Sequence, residues 1–132
     1  MRDTEGRVLV HRRPENALRF PGQLNWMLGG AVEATESYEE AAARELAEEL
    51  GVQATPHFVL KYLCHGAIAR YWLGIHETVI TTRVRPAARE ISWHAWFTEP
   101  ELDDLVRHQE FVPDAREAYG RYRSLNARTR GS

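Results

Sequence analysis

The stretch Gly30–Val52, GAVEATESYEEAAARELAEELGV, decides how this chain is read. From Ser37 to Leu50 it holds neither Gly nor Pro, and Ala, Leu, Glu and Arg dominate, all strong helix formers. Thr35 or Ser37 can cap the N-terminus, and Gly51 stands where a helix stops. Ala42, Ala43, Leu46 and Leu50 share one flank, the spacing of a core stripe. Glu45, Glu48 and Glu49 fall at i, i+3 and i+4, so their carboxylates gather on an adjoining flank.

That gathering is electrostatically unfavourable. Like charges one turn apart repel, and the last turn of a helix disfavours negative charge. Two readings fit: a solvated acidic face, or a hard-oxygen site for Mg²⁺ or Mn²⁺. The preceding loop bears on the choice. Gly29-Gly30 lets backbone approach a ligand closely. Glu36 precedes Arg44 by about two helical turns, so an ion pair can brace the loop against the helix.

Gly30, Glu36, Arg44-Glu45, Glu48-Glu49 and Gly51, with aliphatic Leu50 and Val52, resemble the Nudix box at every defined position. The resemblance to the YfcD-type, isopentenyl-diphosphate-isomerase-like branch of that superfamily is wider. It takes in Val8-Leu9-Val10-His11-Arg12-Arg13 and Phe20-Pro21-Gly22 before the box. It continues through Glu90-Ile91-Ser92, Trp96-Phe97-Thr98 and Glu110-Phe111-Val112-Pro113-Asp114.

The resemblance implies an α/β fold, an α/β/α sandwich around a mixed sheet. It implies hydrolysis of a diphosphate linked to another group, with Mg²⁺ or Mn²⁺ as cofactor. Glu45 and Glu49 would ligate the metal, with Glu48 assisting and the Gly30 carbonyl a further donor. Arg44 would pair with Glu36 as a structural brace. Glu90 matches the acid that a later loop brings to bind metal or activate water. Isomerases of this branch carry a cysteine just before the box, where this chain has Trp26-Met27-Leu28. That favours a hydrolase over an isomerase; a binding or regulatory module without turnover is the other alternative.

The rest of the chain sets the frame. Its 132 residues suit one domain, with residues 1–125 as the body and 126–132 as a frayed tail. Hydrophobic content of 43% and charged content of 27% are ordinary for a globular protein. A net charge of −2 points away from a nucleic-acid polymer or a membrane as partner. The acids Glu33, Glu36, Glu39, Glu40, Glu45, Glu48 and Glu49 are nevertheless concentrated, with Arg44 the base among them. The single cysteine, Cys64, excludes an internal disulfide and fits a reducing cytoplasm. Gly131-Ser132 reads as a cloning remnant.

Asp3-Thr4-Glu5-Gly6 reads as a turn and Arg7–Arg13 as a strand. Only Met1-Arg2 precede that turn, so the first strand is expected to be missing: either the start is truncated or mis-assigned, or another element fills the gap. An edge left unpaired would favour a homodimer. Arg12 and Arg13 end the strand, where two guanidiniums can reach substrate phosphates or pair with surface acids. A short strand is expected over Asn25–Leu28, with Trp26 either lining a substrate pocket or in the core. Gln53–Cys64 and Ala67–Val79 read as strands, the first interrupted near Pro56. His57, His65 and His76 lack zinc-site spacing. Arg83, Arg85 and Arg89 lie in a loop, Glu90 opens a last strand, and two helices follow, the second from Pro113 to about Leu125.

Overall fold

The computed structural model describes residues 1–28 and 35–130, with side chains through 126. Gly29, Gly30 and Glu33, which the sequence reading invoked, lie outside the described residues.

Strand β1 (Val8–Arg12) is the centre of the molecule. It pairs antiparallel with β5 (Trp93–Phe97) along its whole length and with β2 (Leu24–Asn25) at His11 and Arg12. A hairpin of β3 (His57–Cys64) and β4 (Tyr71–Glu77) forms a second antiparallel unit. The period-2 alternation of a strand then assigns the layers. Val8 and Val10 point into a core shared with the helices α2 (Glu99–His108) and α3 (Pro113–Arg130). Leu9, between them, points the other way, into a core with Leu46 and Leu50 of α1 (Tyr38–Leu50). The strands are therefore sandwiched between helices, the α/β/α arrangement.

The unpaired edge expected beside β1 is not there. The Arg2 backbone bridges Val8 antiparallel and Val79 parallel. Arg2 N–H donates to Thr78 O at 2.9 Å, Ile80 N–H donates to Arg2 O at 2.7 Å, and Leu9 N–H donates to Met1 O at 3.0 Å. Met1 and Arg2 thus fill the place beside β1 and join the two antiparallel units through one parallel step, which makes the sheet mixed. The side chain of Arg2 reinforces the junction, pairing with Glu77 at 2.7 Å and Glu99 at 2.6 Å. The edge argument for a homodimer falls with this pairing.

Other differences are local. The short strand before the box is Leu24–Asn25, not Asn25–Leu28, because residues 110–112 take up its outer edge: Leu24 N–H donates to Glu110 O and Val112 N–H to Leu24 O. Glu90 does not open β5. It closes a turn, donating its N–H to Ala87 O at 2.9 Å, and the strand begins at Trp93. Helix α3 runs on to Arg130, past the end expected near Leu125. Cys64 is fully buried as a small apolar residue. No helix among the described residues is long and apolar enough to cross a membrane.

Candidate active site

Helix α1 owes its bounds to local chemistry. Ser37 accepts from Glu40 N–H while the Glu40 side chain accepts from Ser37 N–H, a reciprocal cap at the start. At the other end Gly51 takes a left-handed conformation, φ 65°, and its N–H closes onto Ala47 O. No basic residue occupies the last turn of α1, so the acids near its end meet the negative end of the helix dipole with no cation from that turn.

Arg44 organises the cluster from one side. Its Nε and Nη2 grip both oxygens of Glu36, at 2.7 and 3.0 Å, a bidentate pair eight residues apart. Nη1 then reaches Glu45 Oε1 at 3.0 Å and Glu48 Oε2 at 3.4 Å. Glu48 is thereby turned outward, half-exposed, whereas Glu45 is nearly buried.

Glu45 and Glu49 form the close pair. Burial first, then a hydrogen bond and repulsion from Glu45, then the charges of Glu90 and Glu48, push the Glu49 carboxyl up to about 8. Two carboxylates so placed share a proton when nothing else neutralises them. Glu90, distant in sequence, is thus among the charges felt at Glu49. The cause is visible in the backbone. Arg85 N–H donates to Leu50 O at 2.7 Å and Ala87 N–H to Glu49 O at 2.8 Å, so the 85–91 loop caps the carbonyls at the end of α1. Ile91, buried beside Leu46 and Leu50, anchors it.

The donor set suits a hard divalent cation: oxygen ligands, excess negative charge, and a proton held where a cation would compete for it. Among the described residues, no three His, Cys, Asp or Glu side chains are already gathered to hold an ion. Glu48 is drawn aside by Arg44, and Gly30 lies outside the described residues.

The remaining candidates have partners of their own. Arg12 stacks over the Trp93 ring at 5.3 Å, and Arg13 Nε donates to Arg19 O at 2.8 Å. Trp26 is packed as a core side chain: its indole N–H donates to Ala115 O at 2.8 Å and its ring meets Tyr119 and Tyr122. It still forms part of the wall of a cleft of about 100 Å³ that Glu45 and Ala42 line on one side and Gly74 and His76 on the other. His76, on β4, lies in that wall with Nε2 3.2 Å from Glu39 Oε1. Glu39 lies on α1 and His76 on β4, so no sequence window contains both.

Comparison with known proteins agrees with this architecture. A NUDIX domain model matches residues 1–122. The chain is 42% identical over 126 residues to the Nudix hydrolase SCO1686 of Streptomyces coelicolor, covering 93% of this chain and 70% of that protein. It is 32% identical over 132 residues to the Nudix hydrolase YfcD of Escherichia coli, covering 96% and 69%. Among solved structures it resembles DR0079 from Deinococcus radiodurans, with a TM-score of 0.76 and 26% identity over 91% of this chain and 76% of that one. The carboxylate helix, the layered mixed sheet and these relatives lead to one conclusion: the chain belongs to the NUDIX domain family, in its YfcD-type branch, and is a hydrolase of the diphosphate-cleaving kind.

Proposed function

We propose that this hydrolase acts on a nucleoside diphosphate linked to another group, or a similar small diphosphate, and that it depends on Mg²⁺ or Mn²⁺. One observation carries the reading: the carboxylates gathered on α1, with Glu45 nearly buried and held by Arg44 and with Glu49 pushed up to about 8 by burial, Glu45 and Glu90. A diphosphate repels an incoming nucleophile with its own charge. When bound, a divalent cation neutralises the phosphate oxygens and acidifies water.

Glu45 and Glu49 are the proposed metal ligands, Glu48 assists, and the Gly30 carbonyl is a further donor. Arg44 fixes Glu45 and, through Glu36, the loop before the helix. Glu90 is the proposed proton acceptor, since it lies close enough to act on Glu49 yet belongs to a separate loop. Arg12, whose guanidinium lies over the ring of Trp93, is the proposed phosphate contact. The cleft wall at Trp26 is the place for the group beyond the diphosphate.

The test is a phosphate-release screen over nucleotide, nucleotide-sugar, coenzyme and isoprenyl diphosphates, with and without Mg²⁺. Metal-dependent turnover of one class is expected, with most of it lost in Glu45→Gln and in Glu49→Gln while both variants stay folded. Wild-type turnover in Glu49→Gln at saturating Mg²⁺ would sink the assignment.

A further inference from the structure

Met27 lies just ahead of Leu28 and the Gly29-Gly30 pair, and both of its backbone polar groups are held by side chains. Asn25 Oδ1 accepts its N–H at 2.8 Å. His11 Nε2 stands 2.8 Å from its carbonyl oxygen. These two side chains are cross-strand partners, His11 on β1 opposite Asn25 on β2. A carbonyl only accepts, so Nε2 carries the ring proton and Nδ1 is bare.

His11 is 5% exposed, and its Nδ1 is buried with no hydrogen-bond partner among the described residues. Burial pushes the ring down to about 4, so it stays neutral and keeps this donor at ordinary pH. An apolar side chain would fill the same place without an orphaned nitrogen, so packing alone does not explain a histidine here. What the histidine adds is the bond to Met27. The next residue back, Trp26, is fixed as well, through its indole N–H. Downstream, Glu36 is held by Arg44.

We propose that His11 and Asn25 form a positioning clamp that fixes Met27, from which the chain runs on toward α1, as Arg44 fixes Glu36 just before that helix. The clamp touches neither substrate nor the carboxylates. Its effect on catalysis rests on the diphosphate-hydrolase reading above, because the loop carries the expected Gly30 donor. Its effect on the loop itself does not.

The test uses His11→Phe, His11→Gln and Asn25→Ala in the full chain. Amide hydrogen exchange across residues 28–36, Mn²⁺ affinity by titration, and kcat and KM on the best diphosphate substrate are the readouts. Loss of the clamp should speed exchange in 28–36 at least about tenfold while β3, β4 and α3 exchange as in the wild type. It should weaken Mn²⁺ about tenfold, the scale for a lost residue behind a metal ligand. His11→Gln places an N–H near the same point and should recover most of both effects. Combining His11→Phe with Asn25→Ala should add little to either alone, as expected of one unit.

Uniformly faster exchange with unchanged Mn²⁺ affinity would make His11 an ordinary core residue and overturn the clamp. So would His11→Gln behaving like His11→Phe. If His11→Phe does not fold, Asn25→Ala, at a half-buried position, decides by the same readouts. A wild type that neither binds Mn²⁺ nor turns over any diphosphate would refute the proposed function, and the exchange pattern would still decide the clamp.

Discussion

Arg44 and Glu36 meet through two hydrogen bonds, Nε to Oε2 at 2.7 Å and Nη2 to Oε1 at 3.0 Å. The planar fork uses a third nitrogen for Glu45 and Glu48. One side chain therefore ties the loop before α1 to two of the acids proposed to serve the metal. Holding the loop and pre-aiming the acids are inseparable at this residue.

A lysine at that position keeps the charge and loses the fork. Arg44→Lys should weaken Mg²⁺ by about 10-fold or more, the scale seen when a group orienting a metal ligand is removed. Helix content should be preserved, since Lys is as good a helix former. Mn²⁺ titration with parallel circular dichroism checks this. Wild-type affinity in Arg44→Lys would leave the pair with no role in aiming the carboxylates.

Gly51 ends the same helix under a steric limit. Its φ is 65°, and a Cβ built there would stand 3.2 Å from Arg85 Cβ. Arg85 is also the residue whose N–H caps Leu50 O. Gly51→Ala should destabilise the fold by about 1–2 kcal/mol, through left-handed strain and through pushing the 85–91 loop away. Urea denaturation measures the first effect. The second should appear as a fall in turnover larger than the stability change explains. An unaltered midpoint and unaltered activity would show that the loop is held elsewhere.

These contacts differ in how far the sequence announces them. Helix α1 was legible because its signals act within a few residues: the cap at Ser37, the absence of breakers and the stop at Gly51. The Arg44–Glu36 contact follows from a spacing of two turns. That some element could fill the β1 edge was open from the sequence, but that Met1 and Arg2 do so was not legible, because it depends on Val79, far away in the chain, offering a parallel register. The resemblance makes Glu90 an acid from a later loop and the local pattern puts it at the start of a strand, whereas the structure has it in a turn before β5. Its turn exists because Ala87 and Arg85 donate to the end of α1, a pairing no sequence window contains. The His11–Asn25 pair was hidden for the same reason: it needs the β1–β2 register.

Acid–base linkage gives a test that does not need the substrate. The Glu49 carboxyl, ordinarily near 4.5, rises to about 8 in the fold, first through burial and then through Glu45. The folded state thus binds this proton more tightly than the unfolded chain. The stabilisation is complete below about pH 4.5 and is lost as pH rises through about 8. Metal-free protein should show a falling Tm across that window from this site, and Glu49→Gln should flatten the fall. Mg²⁺ must displace the proton, so its stabilising effect should be small at pH 6 and large at pH 8.5. Thermal melts of both proteins with and without Mg²⁺ check the sign. A Mg²⁺ effect equal at both pH values would remove Glu49 from the ligand set.

Glu90 is where proton transfer and metal binding can be told apart. Carboxylates from one helix approach a cation from one side, while a hard cation takes about six oxygens. Substrate and water supply some, and an acid from another element can supply one more or act as base. Glu90 sits in a turn locked by Glu90 N–H to Ala87 O and Ile91 N–H to Ala87 O, both at 2.9 Å. That turn is itself fastened to Glu49 O through Ala87. Glu90 is therefore placed by the backbone of the very residue whose carboxyl it repels. If it takes the proton from water, Glu90→Gln should lower kcat by about 10²-fold or more, with KM and Mg²⁺ affinity changed far less. If it is chiefly a ligand, Mg²⁺ affinity should fall as far as in Glu49→Gln, and excess Mg²⁺ should restore much of kcat. Removing its charge should also lower the Glu49 carboxyl, since Glu90 is one of the charges that raise it. The Mg²⁺-linked change in Tm should then begin at lower pH in Glu90→Gln than in the wild type. Steady-state kinetics with Mg²⁺ titrated in both variants separates the two roles, and an unchanged kcat together with an unshifted melt profile would exclude Glu90 from both.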